Sequence, residues 1–166
     1  DSMSDRVPVS VGDIRLGLAT VELPGRFQVM PGRPAVIFDV AHNPHAASVL
    51  NENLSNMGFF PETWAVMGML RDKDIAGVLQ RLKGRIDHWM LCDLGGPRGA
   101  SAADIAALIA ANGIPGTVAT FASPLDAWRA TRERVGTDDR IVVFGSFLTV
   151  ADVMRDYAKF PLPAKG

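Results

Sequence analysis

Short apolar runs alternate with stretches of helical periodicity from about residue 34 to the end of the chain, and this alternation limits the fold more than any other feature. The runs are 35–40 (AVIFDV), 64–69 (WAVMGM), 86–92 (IDHWMLC), 117–121 (TVATF) and 141–144 (IVVF). They are short and mostly apolar, as strands covered on both faces are. Between them, apolar residues recur at helical spacing. Ala46, Leu50, Leu54 and Met57 share a face in 44–57, and Ile75, Val78, Leu79 and Leu82 do so in 73–83. Ile105, Leu108 and Ile109 follow in 102–111, and Val150, Val153, Met154 and Tyr157 in 147–158. The segment 124–135 reads as a helix from its start signal rather than its stripe. Strand–helix alternation of this kind implies a parallel sheet with helices on both faces. The expected fold is an α/β, Rossmann-like three-layer domain. Its sheet has six strands, mostly parallel, with one antiparallel strand, 26–30, near an edge.

The helix starts are marked by side chains able to take up free backbone N–H groups. Asn43-Pro44 supplies an N-cap and a proline at the first helical position, where its missing N–H costs nothing. Ser101-x-x-Asp104, Ser123-x-x-Asp126 and Ser10-x-x-Asp13 resemble capping boxes with Asp in place of Glu. The last opens a first helix, 10–20, which stands outside the alternation. The turns of "LPGRFQVMPGRP" then bracket strand 26–30.

In open parallel sheets ligands bind beyond the carboxyl ends of the strands. The polar chemistry gathers on that predicted edge: "DVAHNP" after the first parallel strand, "RDKD" (71–74) after the second, "DLGGPRGAS" (93–101) after the third and "GSF" (145–147) after the fifth. Asp39 can accept hydrogen bonds from ribose hydroxyls; equally, a carboxylate there can satisfy local turn amides. His42 can orient a substrate or bind an anion, or simply be a polar turn residue. Asn43 is most simply the cap, and the amides at that helix start attract negative charge. Arg98 in "GGPRGAS" is a candidate anion contact, although this loop lacks the Lys-Ser/Thr ending of a P-loop. Arg26 in "PGRF" has the planar fork that clamps phosphate. Lys73, between two aspartates, reads as part of a solvated helix start.

Other chemistries are disfavoured. A net charge of −1 offers no basic field for nucleic acid or anionic membrane. No apolar run approaches the ~18 residues of a membrane span, and no signal-peptide pattern is visible. The single cysteine, Cys92, excludes an internal disulfide, suits a reducing, cytoplasmic setting and reads as an inert core thiol. His42, His45 and His88 do not make a metal set, so no metal site is expected. Ser146 has no G-x-S-x-G elbow. The opening "DSMSDR" reads as an artificial leader or a cut edge.

Five pieces together resemble the C-terminal domain of folylpolyglutamate synthase/dihydrofolate synthase, in the Mur ligase superfamily. They are "LPGRFQV", "VIFDVAHNPHAA", "MGMLRDKDIAGVL", "GPRGASAADI" and "VFGSFLTVADVM", in the family's order. The "GMLRDKD" and "GSFLTV" forms resemble the bacterial bifunctional enzymes. The resemblance implies an ATP-dependent amide ligase. A carboxylate is activated as an acyl phosphate by ATP, and the amine of L-glutamate attacks it. The acceptors implied are dihydropteroate and folates. By the same resemblance Arg26 would reach ATP phosphates, Asp39 would hold the ribose, His42 would place the nucleotide or the glutamate and act catalytically, and Ser146 would contact the glutamate. Residues 1–22 would be the end of a preceding domain or a linker helix, and 23–166 the C-terminal domain itself. The family's P-loop and its Mg ligands belong to an N-terminal ATPase domain, and no GKS or GKT occurs in this sequence. The expectation is therefore a closing domain, inactive alone, whose partner is its own ATPase domain. An autonomous Rossmann-like nucleotide-binding or regulatory domain is the alternative, and a P-loop domain encoded upstream separates the two. A nicotinamide dehydrogenase fits poorly, because no dinucleotide fingerprint follows the first strand.

Overall fold

A computed structural model of the chain describes residues 27–162, so Arg26 and the expected helix 10–20 lie outside the described residues. The elements run β1 (Gln28–Met30), β2 (Ala35–Phe38), α1 (Pro44–Ser55), β3 (Thr63–Met67), α2 (Ile75–Arg81) and β4 (His88–Cys92). They continue with α3 (Ala102–Ala111), β5 (Thr117–Phe121), α4 (Pro124–Arg134), β6 (Arg140–Phe144) and α5 (Phe147–Lys159). The sheet has six strands in the order β1-β2-β6-β3-β4-β5. β1 is antiparallel to β2, with Val29 opposite Ile37, and the other neighbours are parallel. The expected α/β architecture and its single antiparallel edge strand are both found.

Period-two alternation sorts the strand residues between two cores. Ile37, Ala65, Met67, Trp89, Leu91, Val142 and Phe144 face α1, α2 and α3, where Leu50, Leu54, Val78, Leu79, Ile105 and Ile109 meet them. Val36, Phe38, Val66, Met90, Cys92, Ile141 and Val143 face the other way, against Ala127 and Trp128 of α4 and Val150 and Val153 of α5. Both layers bury apolar surface at roughly 25 cal/mol per Å², and that burial is the main favourable term holding the sandwich together. Coverage on both faces fails at the rim. β5 is largely exposed, with Val118 41% accessible, because it is an edge strand with a single hydrogen-bonded neighbour. Its two threonines are consistent with that.

The helix stops and starts explain the small boundary differences. α2 begins at Ile75 rather than near Lys73, because Asp74 is the cap and accepts from the Gly77 amide at 2.9 Å. Ser101 and Ser123 cap α3 and α4 as their spacing predicts. α4 buries Ala127, Trp128 and Thr131, and its stripe was hard to see because threonine carries part of it. Asn43 caps α1 in an extended conformation and accepts from the Ala46 amide at 2.8 Å. Asn43→Ala is expected to lower unfolding free energy by about 1 kcal/mol, measured by denaturant melts of this chain.

One buried cation was not foreseen. Arg140 is 3% exposed, donates to Thr63 Oγ1 at 2.8 Å and to the Leu54 carbonyl at 2.7 Å, and lies over the Phe60 ring. It ties the end of α1 to the starts of β3 and β6, at the sheet edge opposite the predicted ligand edge.

Candidate functional site

The direction in which the chain leaves each strand creates the crevice. From β2 and β3 it turns toward the α1–α3 layer, whereas from β6, which lies between them, it turns toward the α4–α5 layer. The carboxyl end of β6 is thus a topological switch point, the place where open α/β sheets bind ligands. Asp39–Asn43 leave β2 on one side of it and Ser146 leaves β6 itself.

Asp39 lies one residue past β2, and its amide still donates to the Val143 carbonyl at 3.0 Å. Its side chain is half-buried, and Oδ1 accepts from the Ala41 amide at 2.8 Å. That bond fixes the carboxylate within the β2 exit, while the backbone amide anchors the residue beside β6. Three residues on, His42 Nδ1 is 2.9 Å from the Val40 carbonyl oxygen. A carbonyl only accepts, so Nδ1 carries the proton, and in the neutral ring Nε2 is the acceptor end. The local sequence therefore sets both a carboxylate and a histidine tautomer before any ligand arrives.

The facing loops approach closely. Gly145 has φ +114°, and a Cβ built on it would meet the Gly68 carbonyl oxygen at 2.4 Å. Gly68 in turn packs on Cys92 Sγ and Thr149 Oγ1, each 2.7 Å from where its own Cβ would stand. Glycine at both positions lets the ends of β3, β4 and β6 touch. Ser146 is 6% exposed and caps α5, accepting from the Thr149 amide at 3.1 Å. The loops after β3 and β4 are stitched by Arg71 N–H to the Arg98 carbonyl (2.8 Å) and by Ala100 N–H to the Met69 carbonyl (2.9 Å).

The other candidates separate clearly. Arg98 donates to Asp72 Oδ2 at 2.8 Å, and that guanidinium holds the Asp72 carboxyl below its ordinary range. Arg98 is thus engaged with a neighbouring loop. Lys73 is half-buried in the turn before the α2 cap, not in the helix itself. Cys92 is fully buried with its thiol pushed up to about 12, chiefly by burial and then by nearby Asp93 and Asp152. It is neutral at ordinary pH and no nucleophile. His88 stacks on Trp64 and contacts Glu62 and Thr117 at the far edge of the sheet. Among the described residues no cluster of His, Cys, Asp and Glu is arranged to hold a metal, and no helix is long and apolar enough to cross a membrane. A cavity of about 270 Å³ lined by Arg129, Arg132, Glu133, Asp156 and Phe160 lies between the far ends of α4 and α5, not at the switch point. Asp156 is committed there to Trp128 Nε1 at 3.0 Å and to both arginines, so packing accounts for this cluster.

Two residues escaped sequence reasoning. Asp93 lies one residue past β4 and accepts from the Ala102 amide at 2.6 Å, reinforcing the start of α3. Thr149 is buried beneath Ser146, and its only signal was the Ser-x-x-Thr spacing at the start of α5.

This edge can be compared with known proteins. The family described as Mur ligase, glutamate ligase domain, matches residues 25–147. The chain belongs to that family. A curated member, the dihydrofolate synthase/folylpolyglutamate synthase of Escherichia coli, is 44% identical over 147 residues, which are 89% of this chain and 33% of that protein. The structure of E. coli FolC in complex with DHPP and ADP has a TM-score of 0.74 at 43% identity, covering 82% of this chain and 32% of the other. A bifunctional folylpolyglutamate synthase/dihydrofolate synthase with Mn, AMPPNP and L-glutamate bound has a TM-score of 0.71 at 44% identity, covering 86% and 34% respectively. The chain thus spans about a third of the length of the relatives it matches. The matched residues take in Arg26, Asp39, His42 and Ser146.

Proposed function

We propose that this chain is the C-terminal, closing domain of an ATP-dependent ligase that joins L-glutamate to dihydropteroate and to folates. Residues 1–22 belong to the end of the preceding domain or its linker, and 23–166 to this one. The observation that carries the reading is the conformation of "DVAHNP" at the switch point. Beside the end of β6 a carboxylate is held by Ala41 N–H, and three residues on a histidine tautomer is set by Val40. Relatives of the same fold, 43–44% identical to this chain, hold DHPP and ADP in one structure and AMPPNP and L-glutamate in another.

In this reading Asp39 accepts hydrogen bonds from the ribose hydroxyls of ATP. Arg26 reaches its phosphates, stabilising charge that develops at the transferring phosphoryl group. His42 lies nearer the helix start and the reacting end of the nucleotide, and its Nε2 helps to place the glutamate. Ser146 contacts the glutamate from the β6 side. The substrate carboxylate takes the γ-phosphoryl group and becomes an acyl phosphate. The glutamate nitrogen, attacking as the neutral amine, then forms the new C–N bond as the C–O bond to phosphate breaks; phosphate leaves with the electron pair and takes up the proton that the nitrogen gives up. Mg ions neutralise phosphate charge when bound. Their ligands and the phosphate cradle belong to the ATPase domain, and the whole enzyme works in the cytoplasm.

The test compares the complete protein with this chain alone. The complete protein is expected to release ADP from MgATP only when L-glutamate and dihydropteroate, or a reduced folate, are both present. The 166-residue chain is expected to give no turnover. Magnesium-dependent ATP hydrolysis by the chain alone, abolished by Asp39→Ala, contradicts the proposal and supports an autonomous nucleotide-binding domain.

A further inference from the structure

The hydroxyl protons at the start of α5 can be followed one at a time. Thr149 Oγ1 lies 3.1 Å from the Gly68 carbonyl oxygen, which can only accept. A threonine hydroxyl has one proton, and it goes to Gly68. Ser146 Oγ is 2.8 Å from the same Thr149 Oγ1. With the threonine proton committed, the proton between the two hydroxyls is the one on Ser146. Ser146 Oγ also accepts from the Thr149 amide at 3.1 Å. Its proton is therefore turned inward and one of its two lone pairs is used. Thr149 is 0% exposed and Ser146 6%, so water competes little for these bonds. What Ser146 can offer a ligand at the switch point is the second lone pair, that is, an acceptor.

An acceptor suits an N–H and repels a carboxylate oxygen. We propose that Thr149 is a positioning residue that fixes the Ser146 hydroxyl as the acceptor for the α-amino group of the incoming glutamate. This rests on the reading of Ser146 as a glutamate contact given above. The bond removes no proton from the amine. It holds one N–H so that the nitrogen lone pair is left for the acyl carbon. Thr149 also ties this arrangement to Gly68, joining the start of α5 to the loop after β3.

The test uses the complete ligase with Ser146→Ala, Thr149→Val, Thr149→Ser and the double variant Ser146→Ala/Thr149→Val. Measured are the KM values for glutamate and ATP, and the inhibition constant of glutarate, which has both carboxylates and no amine. Ser146→Ala and Thr149→Val are each expected to raise the glutamate KM roughly 3–10-fold, the worth of one net hydrogen bond, with the ATP KM unmoved. Thr149→Ser is expected to keep the parent value. The double variant is expected to be no worse than Ser146→Ala, because Thr149 acts through Ser146. Glutarate inhibition should be the same in every variant. If Ser146→Ala raises the glutamate KM and Thr149→Val does not, the positioning role is wrong while the Ser146 reading stands. If Ser146→Ala leaves it unchanged, that reading fails and takes this proposal with it. Glutarate inhibition that weakens in step with glutamate would show a carboxylate contact and overturn the acceptor assignment. Should Thr149→Val not fold, Thr149→Ala takes its place, and a parent-like glutamate KM there is equally fatal.

Discussion

Gly145→Ala is expected to destabilise this domain by roughly 4 kcal/mol, from backbone strain of about 1–3 kcal/mol and overpacking of about 1–3 kcal/mol. The first arises because φ is +114°, a conformation that L side chains rarely adopt. The second arises because the new methyl group would lie 2.4 Å from a backbone carbonyl, that of Gly68. A carbonyl at the end of a central strand cannot rotate aside as a side-chain tip can. Gly84→Ala separates the two effects. Its φ is +83° and nothing lies within 4 Å of the added Cβ, so only the strain remains, about 1 kcal/mol. Denaturant melts of both variants of this chain make the comparison. Equal losses in the two would mean that the contact between the ends of β3 and β6 is not as close as described.

Asp39→Ala in the complete enzyme is expected to raise the KM for ATP by roughly 10–100-fold, as the loss of hydrogen bonds to a charged acceptor does. The carboxylate is already held in the β2 exit by the Ala41 amide, so binding loses a group that needs no ordering. Part of the Asp39 role is local, because the freed Ala41 amide also loses its partner. Asp39→Asn separates these contributions. It keeps an oxygen for the amide but not the charge, and is expected to restore the melt more fully than the ATP KM. An ATP KM unchanged in Asp39→Ala, with a lowered melt, assigns the carboxylate to the turn alone.

The architecture was legible because burial writes itself into sequence with a fixed period. Ile37 and Val36 go to opposite cores as neighbours in a strand must, and Leu50 and Leu54 recur one helical turn apart. Caps were legible for a related reason: Asn43, Ser101 and Ser123 each answer a shortage of acceptors at a helix start. The exposed edge strand β5 was not, since apolar content alone does not reveal which strand will lack a neighbour. At the site, the crowding of Asp39, His42 and Asn43 was visible as composition at a strand exit. The placement of Arg98 against Asp72 was not, because it depends on two loops 26 residues apart meeting in space. Thr149 was hidden for the same reason. Its partners include a carbonyl 81 residues away, and a threonine on a helix gives no hint of that.

Under the proposed function the exit from β2 divides its work, with the carboxylate serving the nucleotide and the imidazole serving the amino acid. Steady-state kinetics of complete-enzyme Asp39→Ala and His42→Ala, each measured against ATP and against L-glutamate beside their thermal melts, tests it most directly. His42 is held through Nδ1 by Val40 O, so its loss removes an oriented group and is expected to lower kcat/KM for glutamate about 10–100-fold. The ATP KM of that variant should stay near the parent value, the glutamate KM of Asp39→Ala likewise, and folate use should be spared in both. Parent-like glutamate dependence and turnover in His42→Ala, with only the melt lowered, would contradict the account and leave the histidine as a turn residue.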